Sequence, residues 1–264
     1  MDLKLVGKTA LVSGSTGGIG FAIAQALAQE GASVIVNGRS ESRVHQAIDQ
    51  IKTTTPDVYL SGIAADLATS EGAAQLFQQV PTVDILVNNL GIFEPKAFGD
   101  ITDADWLRFF EANVLSGVRL SRQYLPQMLE CNWGRVIFIS SESAVQIPVE
   151  MIHYGMTKTA QLAIARGLAE MTVGTNVTVN SVLPGPTRSE GVGDFVGKMA
   201  SDRGIAVAQV EKEFFETVRP SSLIQRFATV EEVAALVTYI SSPVSSATNG
   251  TALRVDGGVV RSIL

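Results

Sequence analysis

The stretch that most limits how this chain can fold is Thr9 to Gln29, where a short strand-like run ends in Ser13-Gly14-Ser15-Thr16-Gly17-Gly18-Ile19-Gly20 and an apolar helical pattern starts at once. A strand, a glycine-rich turn and a helix start in that order aim free backbone N–H groups and the positive end of a helix dipole at one point, which makes an anion site. Glycine belongs where the backbone must reach positive φ, or approach a pyrophosphate with no Cβ in the way. The spacing is Gly-x3-Gly-x-Gly, not the Gly-x-Gly-x-x-Gly of the commonest dinucleotide fingerprint. Tight β-α turns also use glycine, so the turn alone does not name a ligand. Its place at the head of a β-α-β unit points to a nucleotide.

The same alternation runs down the chain. Strand runs fall at Thr9–Ser13, Ser33–Asn37, Val58–Ala64, Ile85–Asn88, Arg135–Ser140, Val177–Leu183 and Ala252–Val255, and helical patterns at Gly18–Gln29, Glu41–Lys52, Ser70–Gln79, Asp103–Glu130, Met151–Thr172 and Val230–Ser241. Most strand runs are apolar on both faces, as in a parallel sheet covered by helices on both sides. The expectation is an α/β fold with one doubly wound, mostly parallel sheet, residues 1–264 forming a single dinucleotide-binding and catalytic domain. One region breaks the rhythm. From Pro184 to Pro220, Gly, Pro and charges of both signs make a segment too long for an ordinary connection; it reads as a substrate lid at about 185–220, with a solvated helical insertion as the alternative.

Charge and cysteine content remove whole classes of function. Lys and Arg number 20 against 26 Asp and Glu, a net charge of −6, and no basic stripe suits a phosphate backbone, so nucleic acid is not expected as a partner. A single cysteine, Cys131, allows neither an intramolecular disulfide nor a cysteine metal cluster, and no metal is expected; it reads as a packed, inert thiol. A mean hydropathy of +0.24 raises the question of a membrane. The longest uncharged stretch, Thr9 to Gln29, has glycines and hydroxyls at its centre and makes a poor lipid-facing helix. Asp2, Lys4 and Lys8 interrupt any signal-peptide run,. A cytoplasmic chain with no membrane partner is the expectation.

The second strand ends in Val36-Asn37-Gly38-Arg39, with Arg39 nineteen residues beyond Gly20. An acidic side chain near this point would accept from a ribose 2′-hydroxyl, whereas arginine accommodates a 2′-phosphate. NADP(H) is therefore expected over NAD(H). Asp66, after the third strand run, is either an adenine contact or a turn and capping residue.

Tyr154 and Lys158 lie four apart in a helical pattern and so share a face. An ammonium 4 to 6 Å from a phenol, at an effective dielectric of about 20, favours the phenolate by roughly 3 to 4 kcal/mol, or about two to three pKa units. That would bring Tyr154 towards the operating pH, where general acid–base catalysis works best. Ser140 and Ser141 close the fifth strand run at the carboxyl end, where open α/β sheets place their ligands. His153 faces elsewhere than Tyr154 and reads as structural or substrate-lining, and His45 as a surface residue.

Together these motifs resemble the short-chain dehydrogenase/reductase family, in its compact single-domain branch of 3-oxoacyl-[acyl-carrier-protein] reductase-like oxidoreductases. The family's glycine turn is Ser13-Gly14 to Gly18-Ile19-Gly20, and its Asn-Asn-Ala-Gly is Asn88-Asn89-Leu90-Gly91, with Leu90 in place of the small residue. Asn113, Ser141, Tyr154 and Lys158 stand in the order of the family's tetrad; Pro184-Gly185, then Thr187 and Ser189, match the turn after the sixth strand, and Asp256-Gly257-Gly258 the C-terminal motif. The resemblance implies a Rossmann fold. It also implies a cofactor held by Gly14, Ser15, Thr16, Gly18, Ile19, Gly20, Arg39, Asp66, Asn89, Gly91, Tyr154, Lys158, Pro184, Gly185, Thr187 and Ser189.

In the roles it implies, Tyr154 passes a proton to or from the substrate oxygen and Ser141 orients that oxygen. Lys158 lowers the Tyr154 pKa and holds the nicotinamide ribose, while Asn113 anchors a water in a proton relay. The expected activity is interconversion of a ketone or aldehyde with an alcohol by hydride transfer, in a homo-oligomer, tetramer or dimer, with the helices around Asp103–Glu130 and Met151–Thr172 between subunits. Phe93, Val145, Ile147, Met151, His153, Val192, Phe195, Phe214 and Phe215 are candidates to line an apolar substrate pocket. Enoyl reduction is disfavoured because the wider Tyr-to-Lys spacing of that branch is absent. A redox sensor or regulator with little turnover is the alternative from another class, and the intact Asn, Ser, Tyr and Lys speak against it.

Overall fold

The computed structural model describes residues 2–263, with the side chain of Phe195 outside that description. Seven parallel strands, β1 (Thr9–Val12), β2 (Ser33–Gly38), β3 (Leu60–Ala64), β4 (Ile85–Asn88), β5 (Gly134–Ile139), β6 (Val177–Pro184) and β7 (Ala252–Val255), form one sheet in the order β3-β2-β1-β4-β5-β6-β7. The order reverses between β1 and β4. Their register there, Ala10 beside Ile85 and Val12 beside Val87, puts both carboxyl ends side by side, leaving the crevice in which such sheets bind ligands.

Period-two alternation divides the apolar strand residues between two cores. Ala10, Val12, Val34, Val36, Ile85 and Val87 pack with Ile23 and Leu27 of α1 (Gly18–Gln29), Ile48 and Ile51 of α2 (Glu41–Thr54), and Val233 and Val237 of α9 (Val230–Ile240). Leu11, Ile35, Leu86, Val136 and Phe138 pack on the opposite face with Leu76 of α3 (Ser70–Gln79), Leu120 and Tyr124 of α5 (Ser116–Glu130), and Ala165 of α6 (Ile152–Glu170). Each Val, Leu, Ile or Phe side chain among them, when fully buried, contributes about 1.5–3 kcal/mol. This two-sided burial is why the strands read as continuous apolar runs, and the architecture is the Rossmann fold.

Two expected elements take a different form. The single helix over Asp103–Glu130 is broken into α4 (Asp103–Phe110), a π-helical turn (Glu111–Leu115) and α5. α4 starts with a reciprocal capping box between Thr102 and Asp105, which supplies partners for two otherwise open N–H groups. The irregular region after β6 is largely helical: α7 (Glu190–Arg203), α8 (Val207–Glu213) and a π-helical turn (Phe214–Val218). This insertion has its own small core, in which Val196, Ala200, Val210 and Phe215 bury themselves with Phe227. Cys131 is corrected as well. It is exposed, because it caps the end of α5 just before Asn132 turns the chain with a φ of 51°. No described helix is long and apolar enough to cross a membrane.

Candidate active site

The glycine turn is built from inside. Gly14 and Gly18 take positive φ, 61° and 56°, a conformation that costs glycine little. A Cβ on Gly20 would stand 2.4 Å from Asn89 Nδ2 and 2.5 Å from the Gly14 carbonyl, so only glycine lets α1 start so close to the turn. Ser15, expected among the cofactor contacts, spends both donors within the protein: its hydroxyl donates to the Val12 carbonyl at 2.7 Å and its N–H to the Asn37 carbonyl at 2.8 Å. Its part is to shape the turn. Ser13 Oγ accepts from the N–H groups of Asn89 and Leu90 at 2.9 and 3.0 Å, tying the turn to the Asn88–Gly91 loop. The N-terminus of α1 has neither a capping side chain nor an acidic residue in its first turn, so its N–H groups and dipole stay open to an anion.

Beside the turn, a cavity of about 290 Å³ is lined by Gly14, Thr16, Gly38, Arg39, Ser40, Arg43, Asp66 and Leu90, among others. Asn37 at its floor is buried, with its side chain bonded to the Gly14 N–H and to the Ile63 and Ala65 carbonyls. Arg39 is exposed and makes no ion pair among the described residues. Arg43, which the sequence reading passed over, brings a second guanidinium from the first turns of α2 and pairs with Glu190 at 3.1 Å. Both Asp66 readings have support. It lines the cavity, and its Oδ1 accepts the Ala68 N–H at 3.0 Å in a local turn. Leu90 lies over Gly14, its Cδ1 3.5 Å from where a Cβ on that glycine would be.

Across the crevice, β5 and α6 bring the remaining residues together. Gly185, after β6, packs so tightly on Asp256 that a Cβ would stand 2.4 Å from its carbonyl oxygen; Thr187 and Ser189 lead from there to α7, Ser189 capping the helix and lying next to Gly18. The π-helical turn buries Asn113, whose Nδ2 donates to the Ile92 carbonyl at 2.9 Å and to Thr157 Oγ1 at 3.0 Å, while its Oδ1 accepts the Ile92 N–H at 2.7 Å. Gly91 fits against Lys158 Nζ and Asn113 Oδ1. Lys158 Nζ donates to the Ile139 carbonyl at 2.8 Å and to Gln161 Oε1 at 3.3 Å, and Gln161 Nε2 donates to the Asn113 carbonyl at 2.6 Å. Gln161 thus bridges Lys158 and Asn113, where the resemblance implies a water. Its sequence signal was a position one helical turn beyond Lys158.

Electrostatics correct the expectation for Tyr154. Lys158 Nζ is 5.6 Å from the centre of the Tyr154 ring, within the anticipated range. Burial nevertheless dominates both groups: it pulls Lys158 down from 10.5 to about 7 and pushes the Tyr154 phenol up. A hydrogen bond with Ser141 opposes that rise, the Glu142 carboxylate adds to it and Arg219 counters it. A half-discharged ammonium cannot deliver the stabilisation reckoned for a full charge.

The candidate pocket residues divide between the site and the interior, His153 taking the structural half of its two readings. Phe93 meets Tyr154 edge to face at 6.4 Å and, with Val145 and Ile147, forms an exposed apolar rim. His153 is buried instead against Phe109 and Trp106, with ring centres 4.0 and 6.1 Å away. Its two nitrogens have no hydrogen-bond partner among the described residues, and burial holds its pKa down. Phe214 and Phe215 belong to the insertion's core. The buried pair Glu142 and Arg219, 2.9 Å apart, was not anticipated; its one sequence signal is a carboxylate directly after Ser141.

A glycine-built turn and a Tyr–Lys–Ser–Asn cluster stand at the carboxyl edge of a doubly wound sheet, the place where sheets of this class bind their ligands. The short chain dehydrogenase family model matches residues 8–199, and the chain belongs to the short-chain dehydrogenase/reductase family. It is 56% identical over 263 residues to the uncharacterized oxidoreductase YvaG of Bacillus subtilis (strain 168), with both chains covered in full. It is 30% identical to the 3-oxoacyl-[acyl-carrier-protein] reductase FabG of Aquifex aeolicus (strain VF5), across 98% of this chain and 100% of that one. Among solved structures it resembles the L-sorbose reductase of Gluconobacter frateurii complexed with NADPH and L-sorbose, at a TM-score of 0.93 and 30% identity over the whole of both chains.

Proposed function

We propose that the chain is an NADP(H)-dependent oxidoreductase that interconverts a ketone or aldehyde with an alcohol. The observation that carries this reading is the convergence of Asn113, Ser141, Tyr154 and Lys158 at the carboxyl edge of β4 and β5, beside the glycine turn. The turn fits a dinucleotide: Gly14 and Gly18 open the backbone, the α1 N-terminus is uncapped, and Arg39 and Arg43 line the neighbouring cavity. Arg39 and Arg43 would hold a 2′-phosphate, and Lys158 the hydroxyls of the second ribose. The bound nicotinamide supplies or takes up the hydride. The NADPH bound to the L-sorbose reductase supports the choice of cofactor.

The protein's own part is to position the substrate and move a proton. Tyr154 gives its hydroxyl proton to the carbonyl oxygen during reduction, and takes one from the alcohol during oxidation. Ser141 fixes the place of that oxygen. Lys158 Nζ donates to Gln161 Oε1 and Gln161 Nε2 to the Asn113 carbonyl, a line that holds the lysine in place, while the tyrosine proton is replaced from water. We read residues 1–264 as one catalytic unit with the insertion as its substrate lid. It assembles as a homo-oligomer, tetramer or dimer, over α4 to α6, where Leu107 and Phe110 stand exposed.

The test is NADPH oxidation across a panel of ketones, aldehydes and sugars. Turnover on at least one is expected, and Tyr154→Phe should reduce kcat at least about a hundredfold with the NADPH Kd unchanged. Tight NADPH binding without turnover on any carbonyl would overturn the reading in favour of a sensor.

A further inference from the structure

Glu142 carries more charge chemistry than its place in the sequence suggests. Its side chain is 5% exposed and that of Arg219 9%, so both charges need partners inside the protein. Glu142 Oε2 accepts from Ser141 Oγ at 2.5 Å and from Ser143 Oγ at 2.8 Å, and Oε1 accepts from Arg219 Nε at 2.9 Å. Arg219 directly follows the π-helical turn that ends the insertion, and its second arm reaches Glu150 at 3.3 Å.

The hydrogen-bond inventory fixes the direction of this chain. A carboxylate beside a guanidinium only accepts, so the single Ser141 proton goes to Glu142. One Ser141 lone pair takes the Ser143 N–H at 3.1 Å. To hold a substrate carbonyl oxygen, or to lower the Tyr154 pKa as a Ser141 hydrogen bond does, the hydroxyl must turn that proton from Glu142 towards the site, and Glu142 sets how readily it turns. The serine hydroxyl next to the reacting oxygen is thus oriented by its neighbour, and that neighbour is held by a residue of the insertion.

We propose that Glu142 is a positioning residue for the reaction: paired with Arg219, it orients the Ser141 hydroxyl and makes that orientation depend on docking of the insertion. The proposal rests on the oxidoreductase reading for its catalytic half. Its conformational half stands on the Glu142–Arg219–Glu150 contacts alone.

The charged groups facing Tyr154 are Glu142 and Arg219 on one side and Lys158 on its own helix, with Glu150 behind Arg219. A negative neighbour disfavours the phenolate and a positive one favours it. Glu142→Gln should therefore shift the pH limb of alcohol oxidation that reports Tyr154 downwards, and Arg219→Gln should shift it upwards. Each should lower kcat by about ten- to a hundredfold, with the NADPH Kd within about twofold of the parent as the check on folding. The double variant should lose no more than the worse single one, as expected of two residues acting as a unit.

A second arm needs no substrate. In the cofactor-free full chain, Arg219→Gln should speed amide exchange over residues 190–218 at least about tenfold while exchange in the sheet is unchanged. Parent turnover with unshifted or parallel pH limbs in the variants would overturn the positioning role. Unchanged exchange in the insertion would overturn the docking role. Failure of the parent on every carbonyl would instead sink the oxidoreductase reading and the positioning role with it, leaving the docking role to the exchange result.

Discussion

Lys158 is held where a charge is expensive, and that is a property of one residue with a measurable signature. Its ammonium is buried beneath β5, has only the Ile139 carbonyl and Gln161 as neutral partners, and titrates near 7 in the folded chain against 10.5 when free. Between those two values the unfolded chain binds more protons than the native one, so stability is lost as pH falls from about 10.5 to about 7. Lys158→Met should abolish turnover yet raise the Tm of the cofactor-free protein by about 5 °C near pH 7. The gain should shrink towards about pH 10, where the parent lysine is neutral in the native state and folding no longer requires it to lose a proton to the same degree. Thermal scans at the two pH values decide it. An equal gain at both would mean that lost or gained packing, not charge burial, sets the difference. The same burial explains why the tetrad is legible as a pattern while its electrostatics are not: spacing places Lys158 on the face of Tyr154, but only the three-dimensional surroundings say how much charge it keeps.

At the scale of elements, the insertion is the part most able to move independently. Its core of Val196, Ala200, Val210, Phe215 and Phe227 is a cluster separate from the two that clamp the sheet, so it can open without exposing either. Phe215 is 2% exposed, and its ring lies 5.1 Å from those of Phe214 and Phe227. Removing such a ring costs about 3 kcal/mol or more, which corresponds to a rise of on the order of a hundredfold in local opening. Phe215→Ala should therefore speed exchange over residues 190–218 by that factor and leave amides of β1, β4 and β5 unchanged; a matching acceleration in the sheet would show that the insertion and sheet unfold together. The sheet was readable in the sequence because two-sided burial leaves long apolar runs such as Ile85–Val87. The insertion was legible only as an irregular segment, lid or helical insertion, because Gly191, Gly193 and Gly197 weaken its helical pattern, and only a small satellite core holds it. The π-helical turn at Asn113 escaped because one extra residue in a turn changes the phase of a helical pattern without ending it. Glu142 and Arg219 stand 77 residues apart, and no local spacing announces a contact of that kind.

For the molecule as a whole, the net charge of −6 is the wrong sign for an anionic cofactor, so binding must rely on local fields at the crevice. Two contributions differ in how water reaches them. The N–H groups at the head of α1 sit in the glycine turn, whereas Arg39 is exposed and the side chain of Arg43 is 56% exposed. Charges in open solvent are screened within about 8 Å at physiological ionic strength, and more closely than that at higher salt. The pyrophosphate is common to both cofactors, and in the function proposed above only NADPH would bring a 2′-phosphate to the two arginines. Raising salt from about 0.02 M to about 0.5 M should then weaken NADPH binding about tenfold and NADH binding about threefold or less. Arg39→Asp should remove most of the NADPH preference and flatten the difference between the two salt slopes, because it replaces the exposed cation with a carboxylate able to accept from a ribose hydroxyl. Titrations of both cofactors at the two salt concentrations, with parent and variant, test this directly. Equal salt slopes in the parent, or an unaltered NADPH preference in Arg39→Asp, would place the discrimination somewhere other than the cavity lined by Arg39 and Arg43.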